Sequence, residues 1–450
     1  MSEGGLGAPM RHPIAWQDPD FYDQTKIDAE LARVFDLGHG CRRCFNLCDS
    51  FPRLFDMIDE TPSGELHDVD VKEYGAVVEA CTLCDMCFMT KCPYVPPHEF
   101  NLDFPHLMLR HRAAQEKRGE GKQLDKQLAE TDRNGQMARV VAPLANWASD
   151  VDNKLTRPLM EAVLGIDRKA ALPKFHARTF ELRAASDNAA PDAAAPAFGR
   201  KAVLYATCFV NYNNPDIGEA ARAVLAKNGV ATEVVYPECC GMPQMEQGEL
   251  SRVAAKAKNI AATFKPYLDQ GYDVIALIPS CALMAKFEWP LMLPNDPDVA
   301  RLAKSTFDLS EYIVDIAKKE GIAPGMTEIP GGVSLHLACH ARAQNMGAKA
   351  AEMLKLMPGQ NLDVIERCSG HGGSWGVKKE NFDIAMKVGR PPSRQVARSD
   401  KAFLASECPL AALHLQQGAE AQSEPGASQP ETLHPIELMA RAYGLTDGEL

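Results

Sequence analysis

Seven cysteines crowd into two short runs, CRRCFNLCDSFP over residues 41–52 and CTLCDMCFMTKCP over residues 81–93. The second run supplies Cys81, Cys84, Cys87 and Cys92 in the form C-x2-C-x2-C-x4-C-P. It is one residue longer than the C-x2-C-x2-C-x3-C-P spacing that binds pairs of iron–sulfur clusters. Three thiolates at this spacing wrap three corners of one cubane, and the fourth ligand crosses over from the other run. The chemistry is storage and transfer of single electrons. The first run keeps Cys41, Cys44 and Pro52 but carries Leu47 at the third ligand position and Phe51 at the fourth, with an extra Cys48. Two full cubanes need eight thiolates, and seven are present. Either one iron takes a non-cysteine ligand, with His39, Asp49 and Asp85 as candidates, or one cluster lacks an iron, or a single cluster forms. Cys48 can stand third beside Cys41 and Cys44, or complete Cys81, Cys84 and Cys87 from a distance, but not both. Zinc, the competing metal, favours four ligands in paired C-x2-C form, which a triplet followed by C-P is not. The expectation is one or two 4Fe-4S clusters in this region.

The other seven of the fourteen cysteines lie between Cys208 and Cys408. Each follows an apolar run. KAVLYATCFV reads as a strand ending at Cys208, ATEVVYPECCGMP as one ending at Cys239 and Cys240, and DVIALIPSCALM as one ending at Cys281. From residue 332 the pattern returns: GVSLHLACH ends at Cys339, LDVIERCSGHGG at Cys368 and KAFLASECPLAAL at Cys408. The amphipathic segments DIGEAARAVLAKNG and GAKAAEMLKLMPG read as helices between the first two strands of each set. Cys208 to Cys239 is 31 positions and Cys339 to Cys368 is 29; Cys240 to Cys281 is 41 and Cys368 to Cys408 is 40. These intervals imply two copies of one unit. Strands alternating with helices predict mostly parallel sheets, whose strand ends gather the following residues at one edge.

The elements that position these groups suggest four segments. Residues 1–115 hold the first cysteine group in a helical domain. Residues 116–199 form a helical connector, broken near Pro143 and Pro158, and then a flexible Ala/Pro-rich linker over 184–199. Residues 200–330 and 331–450 are the two α/β units. GAEAQSEPGASQPE, around residue 425, reads as a mobile insertion before a last helix in HPIELMARAYGL. The fold class is α + α/β.

Composition narrows the function. Apolar residues make up 46% of the chain, enough for packed cores, and no apolar run is long enough to span a bilayer. The start, MSEGGLGAPMRHPIAW, lacks the charged and then apolar pattern of a secretory signal. The expectation is a cytoplasmic protein, where disulfides are rare and clustered thiols bind metal. A net charge of −12 argues against nucleic acid as partner. The chain shows no dinucleotide fingerprint, so an electron-carrying role needs a catalytic partner.

Taken together, CTLCDMCFMTKCP, ECCGMP, SCALM, ACH, CSGHGGSWGVKKEN and ECPLAALHL resemble a family of iron–sulfur subunits that includes the one serving anaerobic glycerol-3-phosphate dehydrogenase. The resemblance extends to heterodisulfide reductase subunits and the iron–sulfur subunits of glycolate and lactate oxidation. It implies an α-helical ferredoxin domain followed by two cysteine-rich CCG domains. It also implies electron traffic between a flavin dehydrogenase, or other redox protein, and an acceptor such as a quinone or a membrane subunit. The implied ligand set in the first unit is Cys208, Cys239, Cys240 and Cys281, for an iron–sulfur cluster or zinc, where the last position of a C-x2-C pair is Met284. In the second unit it is Cys339, Cys368 and Cys408, with Ser369 replacing one cysteine and Ala411 another; His371 and His340 are the nitrogen candidates there. The alternatives are a heterodisulfide, thiol–disulfide or quinone reductase acting at Cys239 and Cys240, an electron donor to a rubrerythrin-type peroxide-reducing protein, and a zinc-bearing docking platform. Whether the chain itself is an enzyme stays open, as does peripheral contact with the inner face of the cell membrane.

Overall fold

The computed structural model describes residues 9–187, 189–424 and 426–445. The start of the chain and residue 425, within the expected mobile insertion, lie outside the described residues. The cysteine-rich N-terminal half is built on α1 (Gln24–Cys41), α2 (Ser50–Asp59), α3 (Tyr74–Glu79) and α4 (Phe104–Lys117). The Asp23 side chain caps α1 by accepting the Lys26 N–H, and Arg42 stops it in the left-handed conformation. The last helical residue is therefore Cys41, and Cys44 and Cys48 follow in the turns that lead to α2. Leu31, Phe35, Leu54, Phe55, Val77 and Met108 form a fully buried core between the helices. Phe51, at the position of the remote ligand, packs there instead: its ring lies 4.8 Å from that of Phe104.

A buried ionic hub ties this half to the rest. Arg11 reaches Asp85 with two nitrogens at 2.7 and 2.8 Å, Asp103 at 3.0 Å and Glu288 at 3.0 Å. Its guanidinium also lies 4.4 Å over the Phe88 ring. His106 meets the other Glu288 oxygen at 3.1 Å. Burial pushes the Glu288 carboxyl up, but His106 and Arg11 outweigh it and bring it down to about 2.

The connector runs through α5 (Gln123–Ala129), α6 (Thr131–Val140), α7 (Ala142–Ser149) and α8 (Thr156–Leu164). Pro143 lies in the first turn of α7, where its missing N–H costs nothing. Trp147, Leu155, Leu159 and Val163 expose more than half of their surface along α7 and α8. Of the stretch 184–199, expected to be a flexible linker, residues 189–199 are instead seated on the first α/β unit. Asp192 donates its N–H to the Ala226 carbonyl at 2.8 Å, and Ala195 and Ala197 are buried. Alanines small enough to fit under a helix end explain why an Ala/Pro composition is ordered here.

The two α/β units share one topology. β1 (Lys201–Tyr205), β2 (Ala231–Val235), β3 (Asp273–Ala276) and β4 (Thr306–Asp308) pair in parallel in the order β2-β1-β3-β4. β5 (Val333–His336), β6 (Leu362–Ile365), β7 (Phe403–Ser406) and β8 (Glu431–Leu433) repeat it as β6-β5-β7-β8. The α + α/β class and the parallel sheets are as expected. The duplication goes beyond the cysteines: β4 and β8 both run into a capping-box helix, on Asp308 with Glu311 and on His434 with Glu437.

The units pack on each other and on the N-terminal half. Ser280 Oγ meets His340 Nδ1 at 2.8 Å, and His340 Nε2 lies 3.4 Å from the Leu83 carbonyl. Lys378 is buried and paired with Asp125 of α5 at 2.5 Å, whereas Lys379 is exposed.

Candidate metal centres

All six strands that precede a cysteine end at the same edge of their sheet, and the cysteines follow within a few residues. Cys208 and Cys339 each open a short helix after the central strand, Cys208–Tyr212 and Cys339–Ala343. Tyr205 and His336 end those central strands and perform one task in two chemistries. The Tyr205 hydroxyl donates to the Glu238 carbonyl at 2.6 Å, and His336 Nε2 meets the Arg367 carbonyl at 2.9 Å. Each fixes the peptide just before a cysteine, Cys239 in one unit and Cys368 in the other.

Sheet register corrects one correspondence. Ala276 pairs with Tyr205, and Ser406 pairs with His336, so Ala276 and Ser406 are equivalent. Pro279 and Pro409 follow three residues later in each unit. Cys281 therefore corresponds to Ala411, and Cys408 to Ile278. The first unit has kept the second member of a C-x2-C pair and the second unit the first; Met284 is not the missing position. The near-equal intervals of 41 and 40 residues pair two non-equivalent cysteines. By the same register His414 stands where the first unit has Met284, and aligning ECCGM with RCSGH sets His371 at Met242.

In the first unit the four thiols form one buried group. Cys208 Sγ and Cys239 Sγ are 3.7 Å apart. Cys239 is held well below the ordinary thiol value by hydrogen bonds from Cys208 and then Cys240, both of which are pushed up. Asp132, at the start of α6, accepts the Cys239 N–H at 3.1 Å and the Tyr236 hydroxyl. Lys256 pairs with Asp132 at 3.1 Å and with Glu238 at 2.7 Å. Trp289 donates to the Cys240 carbonyl at 3.2 Å. Asp132 has no signal in the sequence because it lies 107 positions before its partner, on a connector without a cysteine.

In the N-terminal half Cys41, Cys44, Cys87 and Cys92 border one cavity, which Cys48, Cys81 and Cys84 do not line. The charges that raise Cys48, after burial, are those of Cys84 and Cys81, and Cys87 likewise meets Cys84 and Cys81 first. Cys44, pushed up to about 12 by burial, meets Cys92 and Cys41. The Cys41 thiol raises the Tyr94 hydroxyl. Arg112 donates to the Cys81 and Val78 carbonyls, which pins the loop that carries the triplet. The oxygen and nitrogen candidates are engaged elsewhere. His39 pairs with Asp59 and Arg42, Asp49 with Arg53, and Asp85 with Arg11.

The second unit presses its cysteines against the triplet. Burial raises the Cys84 and Cys339 thiols; after it Cys368 raises Cys84, and Cys84, then Cys368 and Cys408, raise Cys339. Cys408 stands at the N-cap position of the helix Pro409–Glu420, and its own N–H donates to the Ser406 hydroxyl at 3.3 Å. The His371 ring faces that of His414 at 6.0 Å, and burial brings His371 down to about 3.

The loop SGHGG needs its glycines. Gly370 has φ +83°, and a Cβ there would come within 2.1 Å of the Ala385 carbonyl oxygen. Gly370→Ala should therefore lower stability by about 3 kcal/mol, from backbone strain and overpacking together. Gly271→Ala, with φ +81° and nothing within 4 Å, should cost about 1 kcal/mol. Chemical denaturation of the two variants checks this; equal costs would remove the packing argument.

The N-terminal donors suit iron–sulfur clusters. They are thiols, and Cys41, Cys44, Cys87 and Cys92 border one cavity, walled by Phe51, Leu54, Phe88 and Phe104. A single zinc ion would hold tetrahedral sulfurs about 3.8 Å apart. Among the described residues, no group of three His, Cys, Asp or Glu side chains is placed to hold one metal ion. Irons at the corners of a cubane keep its cysteines farther apart, so the 3.7 Å between Cys208 and Cys239 matches the spacing around a single zinc ion rather than a cubane.

Comparison with known proteins agrees. Residues 202–286 match the cysteine-rich domain family CCG. The chain is 28% identical over 318 residues to the C subunit of anaerobic glycerol-3-phosphate dehydrogenase from Escherichia coli K12, covering 70% of this chain and 76% of that protein. It is 29% identical over 210 residues to lactate utilization protein A of Bacillus cereus, covering 42% of this chain and 83% of that protein. The resemblance to the subunit of anaerobic glycerol-3-phosphate dehydrogenase and to CCG domains read from the motifs is thus borne out.

Proposed function

We propose that this chain, which carries a CCG cysteine-rich domain over residues 202–286 and resembles a dehydrogenase subunit over most of its length, is an electron-transfer subunit. It would pass electrons between a partner dehydrogenase, of the kind that oxidises glycerol 3-phosphate, and a quinone or other acceptor. The observation that carries the reading is the meeting of the two halves: His340, next to Cys339 in the second α/β unit, lies 3.4 Å from the carbonyl of Leu83, next to Cys84 of the triplet. Clusters bound there would each store one electron at a time. The chain's own work is to bury the thiols, fix their loops through Arg112 and Asp132, and hold the units together through Ser280 and His340. The exposed apolar face of α7 and α8 supports a partner protein that covers it. Among the described residues no helix is long and apolar enough to cross a membrane, so contact with a bilayer would be peripheral or through that partner.

A reductase acting at Cys239 and Cys240 needs those thiols open to substrate. They are 0% and 2% exposed, beneath Asp132 and Trp289. The wiring role is therefore the better supported. Anaerobically purified protein should be brown, and its visible absorption should bleach when a flavin dehydrogenase and its substrate are added and return on addition of a quinone. Reduced protein that yields electrons to no acceptor would end this reading.

A further inference from the structure

The connector helices are turned inside out. On α8 the buried side chains are Arg157 and Glu161, 2% and 8% exposed and one turn apart. Arg157 donates to the carbonyls of Asp167 at 2.6 Å, Ala170 at 2.7 Å and Arg168 at 3.1 Å, and Glu161 pairs with Arg168 at 2.8 Å. Leu155, Leu159 and Val163 lie two positions, about 200°, around the helix from these, and each is well over half exposed. α7 repeats the inversion. Ala142 is buried, and Asn146 faces inward, accepting the Phe175 N–H at 2.8 Å and donating to the Phe175 carbonyl at 2.9 Å. Leu144 and Trp147 face solvent instead, in a row of exposed apolar side chains with Met137, Val140 and Val151. That row steps by 3, 4, 3 and 4 positions, the seam spacing of helices that pack on other helices. Asn153 donates to the Trp147 carbonyl at 2.9 Å and the Thr156 hydroxyl to the Ala148 carbonyl at 2.7 Å, which holds the two helices together.

Side chains of this size and exposure offer on the order of 1,000 Å² of apolar surface, against about 800 Å² that each partner gives to a standard interface. Residues 1–8 and 446–450 hold only Met1, Leu6 and Leu450 as large apolar side chains, too few to cover it. Charge selects the occupant. Residues 137–164 balance Arg139, Lys154 and Arg157 against Asp150, Asp152 and Glu161, in a chain of net charge −12. A helix lying on an anionic bilayer carries an excess of Lys and Arg on its polar face, whereas here the polar faces are turned into the protein. Two copies of an acidic chain meet with least repulsion at a neutral face, and a seam of this spacing is satisfied by its own copy across a twofold axis. We propose that the chain is a homodimer in which α7 and α8 of one copy pack on α7 and α8 of the other as a four-helix bundle. The dimer goes beyond the electron-transfer reading and does not depend on it.

The test is sedimentation equilibrium of the full chain, purified without oxygen or detergent, at micromolar concentration. Two chains per particle are expected. Leu144→Glu combined with Leu159→Glu alters only exposed side chains, so it should leave iron content and visible absorption unchanged while weakening the dimer about a hundredfold or more. A short photo-crosslinker attached at lysines, applied to a mixture of isotope-light and isotope-heavy wild-type chains, should join Lys154 of one copy to residues 137–164 of the other. That measurement decides if the double variant does not accumulate. Vesicles of phosphatidylglycerol and phosphatidylethanolamine should not carry the wild type upward on flotation. A monomeric wild type, a dimer untouched by the double variant, light–heavy crosslinks confined to other surfaces, or vesicle binding that the double variant abolishes would overturn the dimer. Each of these leaves the electron-transfer reading standing, since that is judged by bleaching and recovery of the visible absorption.

Discussion

Arg11→Ala should destabilise the loaded protein by about 3–5 kcal/mol at pH 6, the range for stripping one partner from a buried ion pair. Arg11 is the shared cation of Asp85, Asp103 and Glu288, with contacts of 2.7–3.0 Å to each. Without it three carboxylates stay desolvated, with His106 alone to offset them. The effect depends on pH with a definite sign. Glu288, ordinarily near 4.5, is brought to about 2 in the fold, so its contribution is fully present above about 4.5 and is lost as pH falls toward 2. His106 is raised from 6.5, against burial, by Asp103 and Glu288. Its contribution is present below about 6.5 and is lost as pH rises through the folded value. The hub is therefore strongest between about pH 4.5 and 6.5, and the penalty of Arg11→Ala should shrink as pH falls below that window. Arg11→Lys keeps the charge but not the fork, and should fall between the two. Urea unfolding from pH 3 to 8 measures all of this; a penalty below 1 kcal/mol, or one independent of pH, would show that the hub contributes little.

The same hub marks where sequence reading stops. Arg11 and Glu288 are 277 positions apart, and nothing local to either announces the other. What is legible is local and periodic. Apolar runs ending in cysteine mark six of the eight strands, and the parallel pairing follows from the helices between them. β4 and β8, three residues each, are too short to leave a periodic signature and emerge only through their sheet neighbours. The linker departs from expectation because composition reports the freedom of an isolated chain, whereas Ala197 and Ala195 are held by burial against a helix end. The Cys281–Cys408 correspondence fails for a related reason. Intervals count residues, but equivalence is set by hydrogen-bond register, and Pro279 with Pro409 shows the two cysteines offset by three positions.

The division of the seven N-terminal cysteines is the least legible feature, since Cys48 stands one residue after an expected ligand and three before another. Only its absence from the cavity bordered by Cys41, Cys44, Cys87 and Cys92 sets it apart from them. The substitution Cys48→Ser is therefore expected to act on the centre of Cys81 and Cys84 and not on that of Cys41, Cys44 and Cys92. A serine hydroxyl is a poor ligand for iron in a thiolate site. The reduced-state signal of that centre should disappear, and electron flow should fall at least tenfold, because the loop that carries Cys84 meets the second unit, where His340, next to Cys339, lies 3.4 Å from the Leu83 carbonyl. The double variant with Cys84→Ser identifies the centre. With both thiols on one centre, Cys48→Ser adds no further loss of iron or signal to that of Cys84→Ser alone. Were Cys48 a ligand of the Cys41 set, the double variant would damage both centres, and that result would refute the assignment.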